Sequence, residues 1–233
     1  MKEKSSETSV RIQTSILNGV EKKALIFLAD RQPRWMTSNI LTGIGTFGAI
    51  VISLGYILSQ ININYLWLSS LGFVINWYGD SLDGTLARVR NKQRPIFGYY
   101  IDHTVDIINE LLIFLGLGLS GLICFDLSLF IFIVYMMLTL NVSINAHLKK
   151  EFKLTYAKLG PTEFRVLAII FNTVCIYCPA ISDSVMEISM FGKDIVLGSL
   201  DIAGVFVLLV LIIMYIVTVL NDIKDYDKID PMK

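Results

Sequence analysis

The sequence predicts an all-α polytopic membrane protein: six transmembrane helices in one bundle, preceded by an N-terminal cytosolic amphipathic helix. Three observations predict it. Of 233 residues, 54% are hydrophobic and only 17% charged, whereas a soluble domain carries about 25% charge and needs a polar surface all round. The apolar residues gather into stretches of about 20, the length that crosses a ~30 Å hydrocarbon core. All but one of the twenty Lys and Arg residues fall on the same side of a six-span chain, with only Lys193 opposite. The positive-inside bias then places both termini in the cytosol. With 16 Gly, 5 Pro and 3 Cys, disordered, collagen-like and disulfide-rich classes are excluded. Equal numbers of acidic and basic residues leave no basic field for nucleic acid.

In chain order, residues 1–36 form the juxtamembrane segment. They lack the apolar core and small-residue cleavage site of a secretory signal. Ile12, Ile16, Val20, Ala24 and Phe27 recur at helical spacing with Glu21, Lys22 and Lys23 between them, which predicts a helix lying on the cytosolic membrane face; Pro33 ends it. The spans follow at 38–60, 64–88, 98–123, 127–147, 163–182 and 197–220, inside a six-span domain over 37–222. Joins such as Ile61-Asn-Ile-Asn64 and Cys124-Phe-Asp126 are short enough to make consecutive spans antiparallel neighbours. Thr162 is placed to cap the fifth span, with Glu163 in its first turn. Residues 223–233 mix charge signs without periodicity and read as a solvated cytosolic tail.

Ionisable groups inside spans are costly and mark functional sites. Asp80 and Asp83 are i,i+3 near the cytosolic end of span two, and Asp102 and Asp106 are i,i+4 near the cytosolic start of span three. Each pair projects from one helix face, and antiparallel neighbours bring the four carboxylates to one pocket. Such a group opposes full ionisation without cations. All-oxygen ligation favours two divalent ions, Mg²⁺ or Mn²⁺ or Ca²⁺ rather than zinc, and a paired site suits in-line phosphoryl displacement. The plainer alternative pairs these Asp with Arg88, Arg90, Lys92 and Arg94 at the interface. Gly84 and Ala87 follow on the face of Asp80 and Asp83, and Gly98 sits one turn before Asp102; they serve either close helix packing or close approach of a ligand.

Asp80-Ser-Leu-Asp83-Gly84-Thr-Leu-Ala87-Arg88, nine residues, then Gly98-Tyr-Tyr-Ile-Asp102-His-Thr-Val-Asp106 resembles the signature of the CDP-alcohol phosphotransferase (CDP-alcohol phosphatidyltransferase) family at all eight fixed positions. The resemblance extends to six spans, a juxtamembrane helix and an Asn-x-Leu-Thr opening of span one, here Asn39-Ile-Leu41-Thr42. It implies transfer of a substituted phosphoryl group from a CDP-alcohol to an acceptor hydroxyl, with release of CMP. It further implies that Asp80, Asp83 and Asp102 hold one Mg²⁺ or Mn²⁺, that Asp83, Asp102 and Asp106 hold a second, and that Asp106 is the general base. Gly84, Ala87 and Gly98 leave room for the cytidine and its phosphate, Arg88 pairs with a phosphate oxygen, and Asp80 belongs to the nucleotide site. In relatives with phosphorylated acceptors, basic residues near Lys158 and Arg165 bind the acceptor phosphate. A homodimer is also implied.

The implied partners are a CDP-alcohol donor, with CDP-diacylglycerol favoured because the chain is short, an alcohol acceptor and the lipid bilayer. The alternatives are head-group transfer from a CDP-amino-alcohol to diacylglycerol and, from a different class, an ion-coupled transporter with an intramembrane Asp site. Cys175 and Cys178 have CxxC spacing without a second pair and read as small buried thiols. His103 is either a partner of the Asp102 carboxylate or a lone interfacial histidine.

Overall fold

The computed structural model describes residues 10–12, 17–148, 151–153, 160–178, 180, 185–190 and 193–232. Among them the protein is helical apart from two short ribbons. Its helices are α1 (Asn18–Asp30), α2 (Ser38–Leu58), α3 (Leu66–Val89), α4 (Pro95–Leu119), α5 (Phe125–Leu148), α6 (Pro161–Tyr177) and α7 (Ser199–Ile229), with a 3₁₀ turn at Ile63–Tyr65. Strands β1 (Val10–Ile12) and β2 (Glu151–Lys153) pair in parallel, and β3 (Val185–Met190) and β4 (Lys193–Gly198) pair antiparallel from Val185–Gly198 to Met190–Lys193. Three helices, Ser38–Leu58, Phe125–Leu148 and Leu200–Ile229, are long and apolar enough to cross a membrane. The other three do not meet that standard for identifiable reasons: α3 and α4 carry Asp80, Asp83, Asp102, Asp106 and Glu110 within their bodies, and α6 has only 17 residues. Outward side chains such as Phe47, Leu71, Phe130, Leu140, Phe206 and Ile213 are exposed, an apolar surface that suits lipid.

Helix α2 is the organising element because its glycines admit its neighbours. A Cβ at Gly48 would lie 2.4 Å from the Asn76 nitrogen of α3, and one at Gly79 would lie 2.2 Å from the Gly45 nitrogen of α2. Ser53 of α2 receives Gly116 of α4 in the same way, with an added Cβ 2.5 Å from the Ser53 Cα. Small residues let helix backbones approach this closely. Helices α3 and α4 thus both pack on α2, and among the described residues they do not pack closely on each other. The expected packing of α3 directly on α4 gives way to packing of both on α2, with the short join holding their ends together. Helix α6 packs on α3, α5 on α4, and α7 on α5. Tyr56, Ser70 and Asn172 form a buried hydrogen-bonded chain through α2, α3 and α6.

The ends of the helices differ in several places from the expectation. Helix α1 packs Leu25 and Ala29 against the protein and leaves Val20 and Phe27 of the expected membrane-facing stripe exposed; Ile12 lies in β1, and Ile16 lies outside the described residues. The packed face includes Glu21, which accepts hydrogen bonds from Trp77 Nε1 (2.9 Å) and Thr162 Oγ1 (2.5 Å). Thr162 therefore does not cap α6. Gly160 is the N-cap, and Glu163 Oε2 accepts from its N–H at 2.9 Å. Helix α3 ends in a Schellman motif: Asn91 takes a left-handed φ of 54°, and Lys92 N donates to Ala87 O. Arg90 then reaches the carbonyls of Gln32, Pro33 and Met36, fastening the α1–α2 connection to this corner. Helix α7 continues to Ile229 through the residues expected to be a tail, and Asp222 accepts hydrogen bonds from Asn141 and Asn145 of α5. Cys175 is buried as expected, whereas Cys178 is exposed, at the C-terminal end of α6.

Candidate metal centre

Although α3 and α4 pack chiefly on α2, acidic side chains of the two helices meet. Asp80 of α3 and Asp102 and Asp106 of α4 each offer a carboxylate oxygen, and these oxygens lie within 4.8 Å of one another. The i,i+4 spacing of Asp102 and Asp106 aligns them on one face of α4. Asp83, one turn beyond Asp80, sits beside this trio with its carboxylate turned to α2. Its Oδ2 accepts from Thr42 Oγ1 at 2.6 Å, its Oδ1 accepts from the Gly84 N–H, and Ser38 Oγ donates to its backbone carbonyl. The Asn39-Ile-Leu41-Thr42 opening of α2 thereby acquires a local role in orienting Asp83.

Arg165, in the first turns of α6, enters the same cluster. Its Nη2 donates to Asp80 Oδ2 at 2.5 Å and its Nε to Asn76 Oδ1 at 2.9 Å, while Asn76 Nδ2 donates to Gly45 O at 2.9 Å. Asn76 so links α2, α3 and α6 behind the carboxylates. Lys158 lies outside the described residues. The Arg165 guanidinium offsets one charge of a group that holds Asp80, Asp83, Asp102 and Asp106. Divalent cations would balance the others. The donor set fits such ions: it is all oxygen, and the ligand atoms of Asp80, Asp102 and Asp106 are already close.

The signature's small residues face open space. An added Cβ at Gly98 meets nothing within 4 Å, and one at Gly84 meets only Arg88 Nη1 at 3.5 Å. Neither glycine serves helix packing as Gly48 and Gly79 do, and Ala87 is half-buried on the same helix. Arg88 is exposed, with Nη2 on Thr85 Oγ1 at 2.9 Å. His103 stacks on Tyr99 with ring centroids 4.0 Å apart, and its Nδ1 lies 3.1 Å from Tyr99 O and 3.8 Å from Asp102 Oδ2.

Sequence reasoning missed Asn76, Asn109, Glu110 and Tyr135. Glu110 carried a usable signal, since it extends the Asp102, Asp106 series by another four residues into the middle of an expected span. Tyr135 of α5 lies within electrostatic reach of Glu110; nothing in its local sequence marks it. A family model described as CDP-alcohol phosphatidyltransferase matches residues 35–223. No curated protein matches the chain.

Proposed function

The chain belongs to the CDP-alcohol phosphatidyltransferase family, and from that membership we propose that it is an integral-membrane transferase. It moves a phosphatidyl group from a CDP-alcohol, CDP-diacylglycerol in the favoured reading, to an acceptor hydroxyl with release of CMP. The observation that carries this reading is the convergence of Asp80, Asp102 and Asp106, three signature positions from two helices, within 4.8 Å. A transferase family takes the place of the ion-coupled transporter as an account of the intramembrane Asp residues.

Asp80, Asp83 and Asp102 would hold one Mg²⁺ or Mn²⁺, and Asp83, Asp102 and Asp106 the other. Divalent ions held there would supply charge neutralisation to the diphosphate and to the transferring phosphoryl group. Asp106 takes the proton of the acceptor hydroxyl as its oxygen bonds to the phosphorus bearing the donor alcohol. The bond from that phosphorus to the bridging oxygen breaks, and CMP leaves with the bridging oxygen. Thr42 and the Gly84 N–H hold Asp83 in one orientation, a preorganisation that favours repeated ion binding. The open space at Gly84 and Gly98, with Ala87 beside it, takes the cytidine monophosphate part of the donor, and exposed Arg88 pairs with a phosphate oxygen. Arg165 and Lys158 serve the acceptor. In this reading all six helices α2–α7 span the bilayer with both termini and the site cytosolic, residues 37–222 form the catalytic domain, and the exposed Val20, Phe27 and Trp35 of the N-terminal segment face the lipid interface. The protein works as a homodimer.

The test is CMP release by purified protein in lipid nanodiscs, with a panel of CDP-alcohols and acceptors. Release that requires Mg²⁺ or Mn²⁺ and stops on chelation is the expected result. No release from any donor and acceptor pair with metal present would overturn the assignment.

A further inference from the structure

Helix α1 joins the two helices that carry the Asp80–Arg165 pair. Glu21 accepts from Trp77 Nε1 of α3 and from Thr162 Oγ1 of α6. Trp77 stands three residues before Asp80 and Thr162 three before Arg165, so one carboxylate fastens the turns of α3 and α6 from which the ion pair is made. A second link runs beside it, since Leu17 N, at the start of α1, donates to Glu163 Oε1 at 2.8 Å. At the other end of α1, Gln32 donates to Tyr78 of α3 and accepts from Arg90 at its carbonyl. These bonds run between helices and add nothing to the hydrogen bonds inside any of them, so they fix where α6 stands against α3.

The outward side of α1 suits a different partner. Val20, Lys23, Phe27 and Arg31 follow at i, i+3, i+7 and i+11, one stripe of a helix, and all four are exposed. The Arg31 guanidinium lies 3.5 Å from the centroid of the Phe27 ring, which holds a cation against an apolar side chain. Lys22, Arg34 and Trp35 are exposed beside the stripe, and Asp30 is the one exposed acidic residue between Leu17 and Trp35. Trp35 is three residues from Ser38, where the membrane-length helix α2 begins, so this surface stands at the level where headgroups meet acyl chains. Apolar side chains mixed with cations suit that boundary, and four cations against one carboxylate suit negative headgroups. A soluble acidic ligand would match the charges and leave Val20, Phe27 and Trp35 in water. We propose that α1 is a docking surface for anionic lipid headgroups, and that Glu21 is the positioning residue through which docked α1 sets α3 and α6 against each other at Asp80 and Arg165. Bilayer charge thereby acts on the geometry of the carboxylate cluster. The device requires a bilayer around α2 and no particular reaction at the carboxylates.

The experiment follows hydrogen exchange in full-length protein, in nanodiscs of phosphatidylcholine alone and of phosphatidylcholine mixed with phosphatidylglycerol. Amides of α1 should exchange more slowly in the mixed bilayer, by about 5-fold for each cation engaged. Amides at the start of α6, residues 161–168, should slow with them, and high salt should erase both differences. Lys22→Gln, Lys23→Gln, Arg31→Gln and Arg34→Gln combined should give each segment one rate in the two bilayers. Glu21→Ala should keep the response of α1 and lose most of that of α6. Glu21→Gln, whose amide oxygen still accepts from Trp77 and Thr162, should keep both responses. Equal exchange of α1 in the two bilayers, measured on the parent, overturns the docking surface and leaves an interfacial helix held by its apolar residues. A response of α1 without one in α6 overturns the part given to Glu21, and so does an unaltered α6 response in Glu21→Ala.

Discussion

Asp106 has a neighbouring carboxylate one turn away on each side, Asp102 before it and Glu110 after it, so a change there removes a proton acceptor without emptying the cluster. Asp106→Asn is expected to abolish CMP release while donor binding stays measurable, because Asp80, Asp83 and Asp102 retain their oxygens. Normal turnover would remove Asp106 from the proton transfer. Two glycines test the difference between packing and ligand space. Gly48→Ala puts a Cβ 2.4 Å from the Asn76 nitrogen and should cost about 1–3 kcal/mol through overpacking, seen as a lower thermal midpoint. Gly98→Ala meets no neighbour, and replacing a helix-interior glycine gains about 0.5–1 kcal/mol. Its thermal midpoint should hold or rise while donor affinity falls. An unaltered donor Kd would assign Gly98 no part in the nucleotide site.

At the scale of elements, length and polarity separate in α3 and α4. With 24 and 25 residues they extend ~36 Å, enough for a ~30 Å hydrocarbon core. Asp80, Asp102 and Asp106 turn their carboxylates toward one another. That is how a charged helix remains compatible with a bilayer. The loop after α3 carries Arg88, Arg90, Lys92 and Arg94, and the positive-inside bias assigns it to the cytosol. A single Cys at Lys92, in a Cys-free background, should resist a membrane-impermeant thiol reagent in intact cells, while one at Asn62 should react. The reverse labelling would invert the proposed orientation, and equal labelling would place both sites on the outside.

For the whole molecule, the site sets function against stability. Like charges gathered between α3 and α4 repel one another, and Arg165 on Asp80 relieves part of that repulsion. Added Mn²⁺ should therefore raise the thermal midpoint, by the equivalent of about 2.7 kcal/mol at a hundred times its Kd. Asp102→Asn removes one of the repelling charges. It should unfold at the same or a higher temperature than the parent without metal and lose most of the Mn²⁺-dependent gain. A full Mn²⁺ shift in this variant would show that the ion binds elsewhere.

The sequence by itself determined the membrane class, since 54% hydrophobic and 17% charged residues cannot cover a soluble surface. It also determined which residues share a helix face: the i,i+3 and i,i+4 spacings of the Asp residues follow from 3.6 residues per turn and need no neighbour to be read. Partnership between helices was decided only in three dimensions. That α2 packs on both α3 and α4 depends on Gly48, Gly79 and Gly116 meeting Asn76, Gly45 and Ser53, a match of surface shapes that no local pattern encodes. The same holds for Arg165, which reaches Asp80 across 85 residues of sequence, and for Tyr135 meeting Glu110. In α1 the stripe of Val20 and Phe27 stays exposed, and the opposite, packed side includes Glu21 because α3 and α6 offer it Trp77 and Thr162. Hydrogen bonds from both partners let a carboxylate occupy the packed face, so the side of a helix that is buried is settled by what lies opposite it.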